Sequence, residues 1–137
     1  MRTRLSAQLG IVGCLSLATP ALAHHAFSAE FDSAKPVALK GTVTEMEWLN
    51  PHTWLHLDVK DPDGAVHNWA VEGGAPNALI RRGATKKSIV PGMEIIVTGF
   101  AAKDGTYKAT GTQVQFADGR SLFVGSPESG APKETPK

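Results

Sequence analysis

The chain has 137 residues, 42% of them hydrophobic and 20% charged, with a formal net charge of +1. That length suits one small domain. The balanced charge lacks the basic excess of a phosphate-binding surface and argues against nucleic acid as a partner. The single cysteine excludes a disulfide framework and a cysteine-rich zinc centre.

Residues 1–23 read as an export signal. Arg2 and Arg4 give a basic start, residues 5–22 an apolar and small-residue stretch, and Ala21-Leu22-Ala23 an A-x-A cleavage site. Gln8, Gly10, Gly13 and Pro20 interrupt that stretch, which falls short of the roughly 20 apolar residues that span a bilayer. No transmembrane span is therefore expected. Ile11-Val12-Gly13-Cys14 has the form of a lipoprotein box that would anchor the chain at Cys14, but the stretch before it is short and broken by Gln8. Cleavage after Ala23 is the better reading. It makes the protein periplasmic, with His24 and His25 as its first residues and no cysteine, which suits an oxidising compartment.

A first strand is expected over residues 37–48. Leu39, Gly41 and Val43 share one face, whereas Met46 and Trp48 have the opposite parity, so a bulge is expected between Val43 and Met46. Asn50-Pro51 breaks the strand. Residues 52–60 alternate, with Leu55, Leu57 and Val59 on one face and Trp54, His56 and Asp58 on the other. Asp61-Pro62-Asp63-Gly64 supplies a type I turn with a bulged glycine. That turn sets Val59 opposite His67, Leu57 opposite Trp69 and Leu55 opposite Val71, which gathers the large apolar residues on one side.

Gly73-Gly74 ends the third strand. A short helix over residues 76–82 starts at Pro76, stops at Gly83, and is extended by one more turn over residues 85–89. Strands follow over residues 93–100, 107–117 and 121–124, separated by Lys103-Asp104-Gly105 and Asp118-Gly119. Residues 126–137 are rich in proline, glycine, serine and charge, and are read as a disordered tail.

Three strands, a helix, then two strands with an extra C-terminal one is the element order of a small OB-like β-barrel. The domain spans residues 24–125 and is mainly β; the alternative with the same elements is an open α+β sheet. Several segments resemble one family: His24-His25-Ala26-Phe27, Glu30-Phe31-Asp32, Glu47-Trp48-Leu49-Asn50-Pro51-His52, Pro76-Asn77-Ala78-Leu79, Arg81-Arg82-Gly83 and Ala117-Asp118-Gly119-Arg120. They resemble small exported bacterial proteins known only as a domain of unknown function, with a mature His-His-x-Phe start and a Trp-x-Asn-Pro-His motif. The resemblance implies a periplasmic protein of this architecture and no established activity.

The five histidines lie between residues 24 and 67. A chain that starts with histidine offers its α-amine and ring Nδ1 from one residue, and both lose their protons readily near neutral pH. Nitrogen-rich sites favour Cu(II). His24 and His25 are therefore candidate copper ligands, with His52, just after the Asn50-Pro51 break, as a third. Trp48 and Trp54 would wall the site, and His56 is a further contact for a ligand or partner. His52 and His56 stand about 13 Å apart if the strand is extended, so they do not share one ion. His67 and Trp69 read as packed residues. Glu45, Glu47 and Asp58 read as surface charges, and Arg81-Arg82 with Lys86-Lys87 as a solvated helix face.

There is no nucleophile elbow and no phosphate loop, so a catalytic role is not expected. The leading expectation is a periplasmic binding module that takes copper. The alternatives are a metal-free structural or protein-interaction barrel of the cell envelope, or a carrier of a small ligand or lipid, which would need an apolar internal cavity.

Overall fold

The computed structural model describes residues 27–126. The export signal, Cys14, His24, His25 and residues 127–137 of the tail lie outside the described residues.

The fold grows from the hairpin of β2 (Trp54–Lys60) and β3 (Val66–Glu72). Asp61 N–H donates to Ala65 O at 2.8 Å and Gly64 N–H to Asp61 O at 2.9 Å, while Gly64 takes φ +93°. Only glycine enters that region without strain, so the turn residue fixes the register. Val71, Trp69 and His67 stand opposite Leu55, Leu57 and Val59 as the turn chemistry requires. Leu55, Leu57, Val59 and Val71 are buried and Trp69 packs against them. Trp54, His56 and Asp58 are left on the outer face.

β1 (Phe31–Glu47) starts six residues before the expected strand and pairs with both β2 and β4 (Glu94–Ala102). Its ladder shifts between Val43 and Glu45, where a bulge was expected. After the bulge, Met46 and Trp48 turn towards the core while Glu45 and Glu47 face outward. Gly41 sits where a Cβ would approach Asp58 O to 2.5 Å, so a side chain there would push β1 off β2.

Helix α2 (Pro76–Arg81) has Pro76 in its first turn and is followed by Gly83 at φ +89°. The helical turn expected over residues 85–89 is not a helix. Ser88 Oγ instead accepts the Thr85 N–H at 2.8 Å and Ser88 N–H donates to Thr85 O at 2.9 Å, a local closure through side chains that competes with helix formation. β5 (Lys108–Phe116) and β6 (Ser121–Phe123) complete the sheet.

The strand order is β3-β2-β1-β4-β5-β6, and β3 also pairs with β5 in parallel through Ala70–Lys108, Val71–Ala109 and Glu72–Thr110. That last pairing closes a ring of hydrogen-bonded strands, with α2 inserted between β3 and β4. The protein is mainly β with the OB-like connectivity expected, and the ring is what an open α+β sheet would lack. The interior is filled by residues such as Leu57, Val43, Val97, Val114 and Leu79. A void beside Met46, Leu55, Val71 and Val124 holds only about 10 Å³, room for about one water.

A second, smaller cluster fixes the N-terminal end of the described chain. In α1 (Phe27–Glu30) the Phe27 ring meets Phe100 edge-on at 5.5 Å and lies 6.1 Å from Phe31, with Ala102 beneath. Two aromatic rings near this end are docked on the sheet, as their burial cost in water would demand. No helix among the described residues is long and apolar enough to cross a membrane.

Candidate functional site

The corner after β1 is held from below. The Asn50–Pro51 peptide is cis, and two residues later Thr53 is buried. Thr53 N–H and Oγ1 both donate to Gly74 O, at 3.1 and 2.9 Å, and Gly73 N–H donates back to Thr53 O at 2.8 Å. A Cβ on Gly73 would come within 2.5 Å of Thr53 Oγ1, so glycine is what lets these two segments close. His52 precedes this clamp and is fixed by it.

Behind His52 stands Glu72, the last residue of β3. His52 Nδ1 lies against Glu72 Oε1, and the two side chains are only 18% and 11% exposed. Glu72 is set there twice over, by its register with Trp54 on β2 and with Thr110 on β5. The contact is an ion pair without hydrogen-bond geometry at Nδ1; Glu72 sets a carboxylate beside one ring nitrogen, and a ring that turns to donate to it keeps its other nitrogen as a ligand atom.

His52 and Glu72 open into a cleft of about 540 Å³ that is also lined by Trp54, Leu49, Lys108 and, from α1, Ala29 and Glu30. The cleft is bound to α1 by two lysines. Lys103 Nζ donates to Ser28 O at 2.5 Å and its N–H to Glu30 O at 2.9 Å. Lys108 Nζ pairs with Glu30 Oε1 and lies 5.2 Å over the Trp54 ring, near enough for a cation–π attraction. On the rim, Asp104 accepts from Thr106 N–H at 3.0 Å and from Thr106 Oγ1 at 2.7 Å, and these bonds hold its carboxyl below the usual range.

The other described histidines, His56 and His67, are placed apart from this cleft. His56 Nε2 is 2.6 Å from Glu47 Oε1 on the outer face, so His52 and His56 meet different carboxylates. His67 stacks on Tyr107 at 4.1 Å, bonds the Tyr107 hydroxyl at 3.1 Å and reaches Asp61 at 3.3 Å, the packed and hydrogen-bonded role expected of it. Each histidine among the described residues thus has a carboxylate partner.

Two expectations for the aromatic and basic residues need revision. Trp54 lines the cleft, but Trp48 packs against the core instead, because the bulge in β1 reverses its parity. Arg82 is not simply a solvated cation: it donates to Gly125 O at 2.7 Å and lies 4.5 Å over Phe123, tying α2 to the end of β6. Sequence reasoning also missed Glu72, Lys108 and Glu30. The hairpin register already contained Glu72, since Leu55 opposite Val71 puts Trp54 opposite Glu72; Lys108 and Glu30 arrive through long-range pairing that leaves no local signal.

Residues 12–113 match a family described as a family of unknown function (DUF6152). No curated protein and no solved structure gives a significant match.

Proposed function

We infer a function for a chain that belongs to this family of unknown function, DUF6152: it is an exported periplasmic binding module that takes copper through its processed N-terminus. In this reading the cut after Ala23 frees the His24 α-amine, which chelates Cu(II) together with the His24 ring. His25 lies beside it, and His52 supplies a nitrogen from the body of the protein. The observation that carries the reading is that α1 and His52 line one cleft. His24 precedes Phe27 by three residues, so at up to ~3.6 Å per residue its Cα lies within about 11 Å of the start of α1. The amine and the imidazoles must bind unprotonated, so copper uptake releases protons. Glu72 is a positioning residue that orients His52, and Trp54 covers one side. The packed interior gives no support to the carrier alternative.

Copper titration of protein that begins at His24 tests this. Acetylation of the His24 α-amine removes it from the chelate and is expected to weaken binding at least tenfold, about 1.4 kcal/mol. Glu72→Gln is expected to weaken it by about tenfold or more through the loss of His52 orientation. Calorimetry together with the Cu(II) spin-resonance spectrum reads both effects. Equal affinity in the acetylated and free-amine chains, or no binding by either, would discard the amino-terminal copper site in favour of a metal-free interaction module. Mass spectrometry of the exported protein checks the start at His24.

A further inference from the structure

We propose that Glu45, Glu47 and His56 form a zinc-binding site on the outer face of the sheet, separate from the cleft beside α1 and independent of any N-terminal processing. The strand register creates the group. Val43 pairs with Leu57 and Glu45 with His56, so two steps along β1 answer one step along β2. An unbroken ladder would set Thr44 beside His56 and turn Glu45 inward; the bulge sends Glu45 and Glu47 to the face that carries His56. One ligand atom from each of the three residues lies within 4.8 Å of the other two, and His56 Nε2 and Glu47 Oε1 are 2.6 Å apart.

The charge balance points the same way. Glu47 meets His56, and Glu45 has no hydrogen bond or ion pair among the described residues. Among the described residues no lysine or arginine forms an ion pair with either carboxylate, and like charges on neighbouring positions of one sheet face disfavour each other. A dication removes that repulsion. One imidazole and two carboxylate oxygens are ligands that zinc accepts at about 2.0–2.2 Å, which places the ligand atoms of a tetrahedral ion roughly 3.3 Å from one another. To reach that value the His56–Glu47 pair opens from 2.6 Å and Glu45 draws in from at most 4.8 Å, shifts of the size that side-chain rotamers supply. Three protein ligands leave the fourth position to water.

The test is a zinc titration of the chain that begins at residue 24 and carries His24→Ala and His25→Ala, so that the outcome does not depend on an N-terminal chelate. Calorimetry is expected to show uptake of one zinc ion. Glu45→Gln and Glu47→Gln should each weaken it at least tenfold, His56→Gln should abolish it, and His52→Gln should leave it unchanged. Cobalt substituted for zinc should give a visible absorption band that His56→Gln removes. Circular dichroism and the melting temperature confirm that each variant is folded, and the exposed Glu45→Gln decides the matter should His56→Gln fail to fold. Absence of zinc uptake, uptake that survives His56→Gln or Glu45→Gln, or uptake lost in His52→Gln overturns the proposal.

Discussion

Gly99→Ala is expected to lower the melting temperature by about 15 °C or more, through a loss above ~3 kcal/mol at ~4–8 °C per kcal/mol for a domain of this size. A Cβ on Gly99 would stand 1.9 Å from Thr110 O and 2.9 Å from Thr110 C. Both are backbone atoms of the adjoining strand, so no side chain can swing aside. The ladder between β4 and β5 is irregular at this point, between Thr98 and Gly99, and the two strands approach closely because glycine permits it. Thr110 also pairs with Glu72, so pushing it away strains the ring closure and the support of His52 together. Gly119→Ala is the control. Gly119 has φ +86° but nothing within 4 Å of its Cβ position, so only the backbone conformation is disturbed, at about 1–2 kcal/mol. Thermal unfolding followed by circular dichroism separates the two. A drop under about 5 °C for Gly99→Ala would mean that β4 and β5 slide apart without serious loss.

Leu57→Ala is expected to cost about 3–5 kcal/mol, the range of a buried leucine truncated where its surroundings cannot collapse. Leu57 is fully buried at the centre of the cluster that holds Val43, Val71 and Val97. Its Cδ1 lies 3.0 Å from where a Cβ on Gly41 would be, so it fills the space that this glycine leaves open. The strands around it are tied into a ring and cannot move inward independently. Urea denaturation should show a lower midpoint with an unchanged slope. A cost below about 1.5 kcal/mol would show a core that repacks freely.

Much of this fold is legible in the sequence where chemistry is local. The turn at residues 61–64 set the hairpin register, the parity slip after Val43 located the bulge, and Pro76 and Gly83 bounded the helix. Expectation failed where pairing is distant. Residues 32–36 include Asp32, Ser33, Lys35 and Pro36 and show no apolar alternation, yet β1 starts at Phe31, pairing with Ala102. Likewise, nothing in residues 70–72 or 108–110 announces that they lie side by side. The site shows the same division. His52 was legible because Asn50-Pro51 marks a corner, whereas Glu72 was missed although the hairpin register set it opposite Trp54. The grouping of Glu45 and Glu47 with His56 needed the exact position of the bulge, which parity alone gave only to within a few residues.

The parallel pairing of β3 with β5 has a consequence for biosynthesis. Its three residue pairs join segments almost forty positions apart, and β3 has only β2 beside it until residues 108–110 exist. A nascent polypeptide that stops before that point exposes bare strand edges, which invite association with other chains. Ring closure therefore waits until residues 108–110 are available wherever the chain folds, which makes it a late and cooperative event rather than a stepwise one.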